Sequence, residues 1–255
     1  MRRHVVVTGG GTGLGAAIAA RFAADGDYVT LIRRREQVLA ERAAAINATL
    51  DHDGVGWVSA DLTDPDATEA AVLATLAAAA TRGGVSEGIG VLVANAGGGT
   101  TTPGADLRET ASLTRELFEL NVLSTVLTIE AFRPHLTRPG ARIITLSSIA
   151  GVRGGGTYGA MKGAISSLTL GLAAELGPEG ITVNALAPGF VPATEFWEGR
   201  LSEEVVAKRV GPTLLGRAGE PSEVADAAAY LAGPGAAWTT GQILQINGGA
   251  CLGRG

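Results

Sequence analysis

The sequence predicts an α/β fold: a doubly wound parallel sheet of about seven strands with helices on both faces. Three observations predict it. Short β-branched runs alternate with alanine-rich stretches along all 255 residues, the order that right-handed strand–helix–strand crossovers produce. The apolar runs are nearly continuous rather than alternating, as in strands covered on both faces. The first run passes directly into a glycine cluster, Thr8-Gly9-Gly10-Gly11-Thr12-Gly13-Leu14-Gly15.

Taken in order, the strands fall at 4–8, 28–32, 56–60, 91–94, 142–147, 181–187 and 243–246. Helices are expected over 14–24, 36–50, 65–81, 113–132, 157–176 and 221–231, where alanine and leucine recur without a breaker. The segment 188–212 breaks the alternation, with too much glycine and proline for a regular element, yet holds a helical patch at 202–209. Long irregular segments of this kind commonly act as lids. No linker divides the chain, so one domain is expected over 1–255.

Composition narrows the function. A net charge of −5 disfavours a nucleic-acid surface. The single cysteine, Cys251, rules out an internal disulfide and any cysteine-based zinc site. Two arginines near the start are followed by only three valines before a glycine, too short an apolar run for export. No stretch approaches the roughly 20 apolar residues of a membrane span. The expectation is a soluble, cytoplasmic protein that binds a small molecule.

The glycine cluster points to a dinucleotide. Gly9, Gly11, Gly13 and Gly15 let the backbone turn tightly against a pyrophosphate, and the helix starting near Leu14 offers free N–H groups to it, with Thr12 in the same turn. The second strand ends in Arg33-Arg34-Arg35 where an NAD site usually carries an acid for the ribose 2′-hydroxyl. Arginine grips a 2′-phosphate where a carboxylate would repel it, so Arg33 and Arg34 predict NADPH over NADH, with Arg35 left open. After the third strand, Asp61-Leu62 is placed to accept a hydrogen bond from an adenine amino group; an N-cap region is its alternative role. After the fourth, Asn95-Ala96-Gly97 is a turn of small residues over which a cofactor could lie.

Tyr158 and Lys162 carry the chemistry. The chain has only two lysines, Lys162 and Lys208, against eighteen arginines, and Lys162 stands four residues past Tyr158. On a helix the two share a face, and a neighbouring ammonium should pull the phenol below its usual value of about 10. Such a tyrosine can exchange a proton with a substrate oxygen. Ser148, ten residues before Tyr158, ends the fifth strand, where its hydroxyl can hold a carbonyl oxygen. Asn121 interrupts an almost wholly apolar helix; a buried asparagine needs partners, and it serves either a structural bond or a water beside Lys162.

With these motifs in order, the chain resembles the short-chain dehydrogenase/reductase family over nearly its whole length. The Thr8–Gly15 turn, Asp61, Asn95-Ala96-Gly97, Asn121, Ser148, Tyr158 with Lys162, Pro188-Gly189 and the closing Gly241-Gln242 to Gly248-Gly249 all fall in that family's order. The resemblance implies a Rossmann-type fold with Tyr158 as acid/base and Ser148 orienting substrate. It implies that Lys162 binds the nicotinamide ribose and tunes the tyrosine, while Asn121 supports a relay water. Pro188, Gly189, Val191 and Thr194 would meet the nicotinamide carboxamide. It further implies a homotetramer or homodimer. The segment between Ser148 and Tyr158 is shorter than is usual in the family, which leaves Ser147 as the alternative serine; Gly151 favours Ser148.

The function expected is NADPH-dependent reduction of a ketone or aldehyde, with a 3-oxoacyl or polyketide-like carbonyl as candidate substrate. Oxidation of an alcohol, a non-redox reaction on the same fold, and nucleotide sensing without turnover are the alternatives. Phe190, Phe196 and Trp197 are candidates for an apolar pocket wall. Trp238 is expected in a core or interface, and His4, His52 and His135 are expected to be structural or exposed.

Overall fold

β1 (Arg2–Thr8) sets the frame. Its β-branched centre is buried, and it pairs in parallel with β2 (Tyr28–Arg33) on one side and β4 (Val85–Ala94) on the other. β3 (Val55–Ser59), β5 (Arg142–Leu146), β6 (Thr182–Pro188) and β7 (Ile243–Ile246) extend the sheet to the order β3-β2-β1-β4-β5-β6-β7, with every pair parallel. The chain winds outward to β3, then returns to the other side of β1 with β4. The winding reverses between β1 and β4, and ligands of such sheets bind beyond the strand ends at that point. This computed structural model describes residues 1–99 and 104–253.

Side-chain alternation along β1 fills both layers. Val5 and Val7 join Ile18 and Phe22 of α1 (Gly13–Ala24), Leu39 of α2 (Glu36–Asn47) and Val224 of α9 (Pro221–Ala232). Val6 faces the opposite layer, with Val72 of α3 (Pro65–Ala80), Phe132 of α5 (Ser124–Phe132) and Leu176 of α7 (Gly156–Leu176). Each fully buried side chain of this size contributes about 1.5–3 kcal/mol, so the two layers hold the strand ends in fixed register.

All seven expected strands are present, and the differences are local. β4 starts at Val85 rather than 91 because its first half carries Gly88 and Gly90, which hide a strand in the sequence. Gly90 leaves room there for the Arg3 side chain, whose Cγ would lie 2.5 Å from an added Cβ. The helix expected over 113–132 is three pieces: α4 (Leu107–Phe118), a π turn at Glu119–Leu123, and α5. α4 starts earlier because Asp106 caps it, accepting from the Arg108 and Glu109 N–H groups. A five-residue helix, α6 (Ile149–Arg153), was not foreseen, and α8 (Glu203–Val210) matches the patch expected at 202–209. Trp238 is fully exposed and so is not a core residue. Among the described residues no helix is long and apolar enough to cross a membrane. Among them, too, no cluster of His, Cys, Asp or Glu is arranged to hold a metal ion.

Candidate active site

A cavity of about 720 Å³ runs along the carboxyl ends of the strands, centred on the reversal between β1 and β4. The half beside the glycine turn is shaped by backbone. Gly9 and Gly13 have φ of 65° and 54°, a region open to glycine but costly to other residues. Gly15 is held by proximity instead: a Cβ there would lie 2.4 Å from the Gly9 carbonyl oxygen and 2.5 Å from Asn95 Nδ2. The turn is tied to β4 by Thr8, whose hydroxyl accepts from the Asn95 and Ala96 N–H groups at 3.0 and 2.9 Å. Asn95 Nδ2 donates back to the Thr8 carbonyl at 2.8 Å. Thr8 entered the sequence reading only as the first residue of the turn; its buried hydroxyl at a strand end was the available signal.

Gly9, Thr12, Gly13, Leu14, Gly15, Arg33, Arg34, Asp61, Leu62 and Asn95-Ala96-Gly97 all line this half of the cavity. Gly11 does not line it; it packs under Arg33 and Val38, and a Cβ there would lie 3.0 Å from Val38 Cγ1. Asp61 accepts at Oδ1 from the Thr63 N–H and hydroxyl, and its Oδ2 lies 3.6 Å from Arg34 Nη1. Burial raises its pKa, but those hydrogen bonds and the Arg34 charge outweigh it and hold the carboxyl below its usual range. Arg33 is the most enclosed of the three arginines, its side chain 21% exposed against 62% and 55% for Arg34 and Arg35.

The other half of the cavity gathers Ser148, Tyr158 and Lys162 with Pro188, Gly189, Val191 and Thr194. Ser148 caps α6, accepting from the Ala150 N–H at 3.1 Å, and also hydrogen-bonds the Tyr158 hydroxyl. Ser147 points the other way, donating to the Lys162 carbonyl at 2.9 Å with its Oγ 2.8 Å from Ser166 Oγ. Ser148 is therefore the serine that meets the tyrosine. The short segment between them works because α6 crosses α7 at glycines. A Cβ on Gly151 would lie 2.6 Å from the Lys162 carbonyl carbon, and one on Gly159 the same distance from the Ala150 carbonyl oxygen. Gly189 similarly allows β6 to end against Asn247, where a Cβ would approach Asn247 Cα to 2.8 Å.

Tyr158 corrects one expectation. Its pKa is pushed up to about 12 by burial, and the Ser148 hydrogen bond pulls the other way without prevailing. The Lys162 ammonium does not outweigh that burial: Nζ lies 5.8 Å from the ring centroid and donates to the Leu146 carbonyl at 2.9 Å. Lys162 is itself pushed down to about 8 by burial.

Asn121 is fully buried in the π turn. Its Nδ2 donates to the Gly98 and Leu117 carbonyls at 2.8 and 3.0 Å, and its Oδ1 accepts from the Gly98 N–H at 3.2 Å. A Cβ on Gly97 would meet Asn121 Oδ1 at 2.8 Å and Lys162 Nζ at 3.4 Å. The asparagine side chain thus sets the 95–98 turn, shares the space beside Gly97 with Lys162, and does not itself line the cavity.

Aromatic rings close the far wall. Phe196 lies 5.5 Å from the Tyr158 ring and 5.2 Å from Trp197, which meets Phe190 edge-on at 5.0 Å. Arg200 and Arg209 stack over Phe196 and Trp197. None of the histidines enters the cavity. His4 is buried in β1 with Nε2 2.9 Å from Thr30 Oγ1, and burial pushes its pKa down to about 4.

Comparison with known proteins agrees with this geometry. The family model described as Enoyl-(Acyl carrier protein) reductase matches residues 9–251. Galactitol 2-dehydrogenase (L-tagatose-forming) of Cereibacter sphaeroides is 35% identical over 250 residues, covering 95% of this chain and 92% of that protein. Among solved structures, a 3-ketoacyl-(acyl-carrier-protein) reductase of Brucella melitensis complexed with NADH gives a TM-score of 0.85 at 28% identity, covering 98% of each chain. A RhlG/NADP active-site complex of Pseudomonas aeruginosa gives 0.85 at 30% identity, over 98% of this chain and 96% of that one. Because the likeness runs from the glycine turn to beyond β7, and not through the first strands alone, the chain belongs to the short-chain dehydrogenase/reductase family of oxidoreductases.

Proposed function

We propose that the protein is an NADPH-dependent reductase that converts a ketone or aldehyde to an alcohol. The observation that carries this reading is the pairing of the Tyr158 hydroxyl with Ser148 at one end of a cavity whose other end is Arg33. An extended dinucleotide fits the residues between: the positive-φ glycines bare the backbone where a side chain would block a pyrophosphate, and the start of α1 supplies N–H donors. Thr12, Gly13, Leu14 and Gly15 would hold the phosphates, Asp61 and Leu62 the adenine, and Asn95-Ala96-Gly97 the face of the chain. Pro188, Gly189, Val191, Thr194 and Lys162 would hold the nicotinamide ribonucleoside.

When bound, NADPH supplies the hydride. The protein's own part is to deliver the proton and fix geometry. Ser148 holds the carbonyl oxygen, and Tyr158, protonated at neutral pH, donates its phenolic proton to that oxygen as negative charge develops there. Lys162 places an ammonium beside the site to stabilise the phenolate that results. Asn121 acts behind them by holding the 95–98 turn.

Phe190, Phe196 and Trp197 suit an extended apolar ketone, such as a 3-oxoacyl or polyketide-like substrate, better than a polyol. The likeness to galactitol 2-dehydrogenase favours a second reading, alcohol oxidation by the same groups in reverse. We further propose a cytoplasmic homotetramer or homodimer; exposed Leu107 and Phe118 on α4 and Leu170 on α7 support burial between copies. A carbonyl panel followed at the NADPH absorbance band, with NADH alongside, tests the function. Steady NADPH consumption with an apolar ketone is expected. Turnover confined to alcohols with NADP⁺ reverses the direction, and no turnover in either direction rejects the redox reading.

The arginines give the nucleotide test. Arg33→Ala with Arg34→Ala should weaken NADPH binding about tenfold or more through loss of charge-assisted bonds, and leave NADH within about twofold. Titration of both nucleotides measures it, and equal losses would place the phosphate elsewhere.

A further inference from the structure

The 189–220 connection returns over the glycine turn. Thr194 lies against Gly13, where an added Cβ would come 3.2 Å from Thr194 Cβ. The next residue, Glu195, reaches the second-strand arginines. Its Oε2 accepts from Thr12 Oγ1 at 2.9 Å and Arg33 Nη2 at 2.7 Å, and its Oε1 accepts from Arg35 Nη2 at 2.5 Å. Arg33 Nη1 donates to Thr12 Oγ1 at 2.8 Å, which closes a ring of three side chains, Thr12, Arg33 and Glu195, with Arg35 attached to Glu195 from outside. Burial raises the Glu195 pKa, but the bonds from Arg33, Thr12 and Arg35 outweigh it and hold the carboxyl at about 2, so it is an anion at any working pH.

A carboxylate is a costly thing to place among guanidinium groups meant for a phosphate. Oxygen acceptors of both kinds use the same planar donors, and two anions cannot share them without repulsion. We propose that Glu195 sets the nucleotide preference: its carboxylate holds the Arg33 donors that the 2′-phosphate of NADP(H) requires, so the two compete for one site. The inference rests on the cavity being a nicotinamide dinucleotide site. NADH, with a 2′-hydroxyl, leaves Glu195 in place. NADPH must displace the carboxylate from Arg33. Wild-type affinity for NADPH is then reduced by the fraction of molecules whose arginines are already occupied. The carboxylate moderates the preference that the arginines create.

Calorimetric titration of wild type, Glu195→Gln and Glu195→Ala with NADPH, NADH and adenosine 2′,5′-bisphosphate tests this without turnover. Both variants should bind NADPH and the bisphosphate about tenfold tighter, with NADH changed by less than about twofold. NADPH affinity that is unchanged or weaker in both variants overturns the inference and leaves the dinucleotide reading standing. Tightening of NADH by as much as NADPH also overturns it, because the carboxylate would then act on nucleotides in general. A wild-type protein that binds none of the three ligands overturns the reading of the site and the inference with it.

Discussion

Tyr158→Phe should lower carbonyl reduction by about a thousandfold, within the range of a hundred- to ten-thousandfold that positioned proton transfer supplies. The ring would remain: Phe at this position keeps the contact with Phe196 at 5.5 Å, so the cavity wall is preserved and only the hydroxyl is lost. Burial holds that hydroxyl at about 12, so at neutral pH it is a loaded donor and not a phenolate. A high pKa suits donation to a developing alkoxide, which is more basic still. NADPH affinity should change by no more than about twofold, since the phenol contributes little to a dinucleotide held along the whole cavity. Steady-state kinetics with a separate nucleotide titration measures both quantities. Undiminished turnover in this variant would refute Tyr158 as the acid.

The glycine turn was legible in the sequence because its geometry is written in residue types. A glycine cluster after a strand has few alternatives, and Gly9, Gly13 and Gly15 each meet a steric or dihedral demand that only glycine satisfies. The strands were legible for a similar reason, since both faces of β1 must be apolar to fill two layers. The start of β4 was hidden because two glycines replace the apolar run there. α6 was hidden because five residues cannot show a helical period. The choice between Ser147 and Ser148 depended on that short helix, whose crossing with α7 is set by Gly151 and Gly159.

Long-range contacts were not legible. Glu195 lies more than 150 residues from the arginines it joins, and no local pattern marks it. Asn121 was read from its isolation in an apolar helix, and both offered roles required partners, but the π turn that aims its amide at Gly98 follows from tertiary packing. The error over Tyr158 has the same origin. Spacing of four residues does place phenol and ammonium on one face of α7, yet spacing cannot tell how deep that face is buried. Burial moves the two groups in opposite directions, up for the neutral acid and down for the cation.

That opposition leads to a pH dependence distinct from the one a lone tyrosine would give. Lys162 is pushed down to about 8, so its ammonium is present below that pH and is lost above it, whereas Tyr158 keeps its proton until about 12. Carbonyl reduction should therefore be level from about pH 6 to 7 and fall above about 8, near tenfold per pH unit at the steepest. Lys162→Met should lack that limb and sit about a hundredfold lower throughout. Stability has the opposite sign. Because the folded-state value of about 8 lies below the ordinary lysine value of 10.5, the unfolded chain binds more protons between them. This group's contribution to stability therefore rises as pH climbs from about 8 toward 10.5, and only the unfolding difference between wild type and Lys162→Met isolates it. Activity that falls over a range where this difference grows in favour of the wild type identifies loss of the ammonium, not unfolding. A reduction profile flat to pH 10 would mean that the charge on Lys162 is not required for the proton delivered by Tyr158.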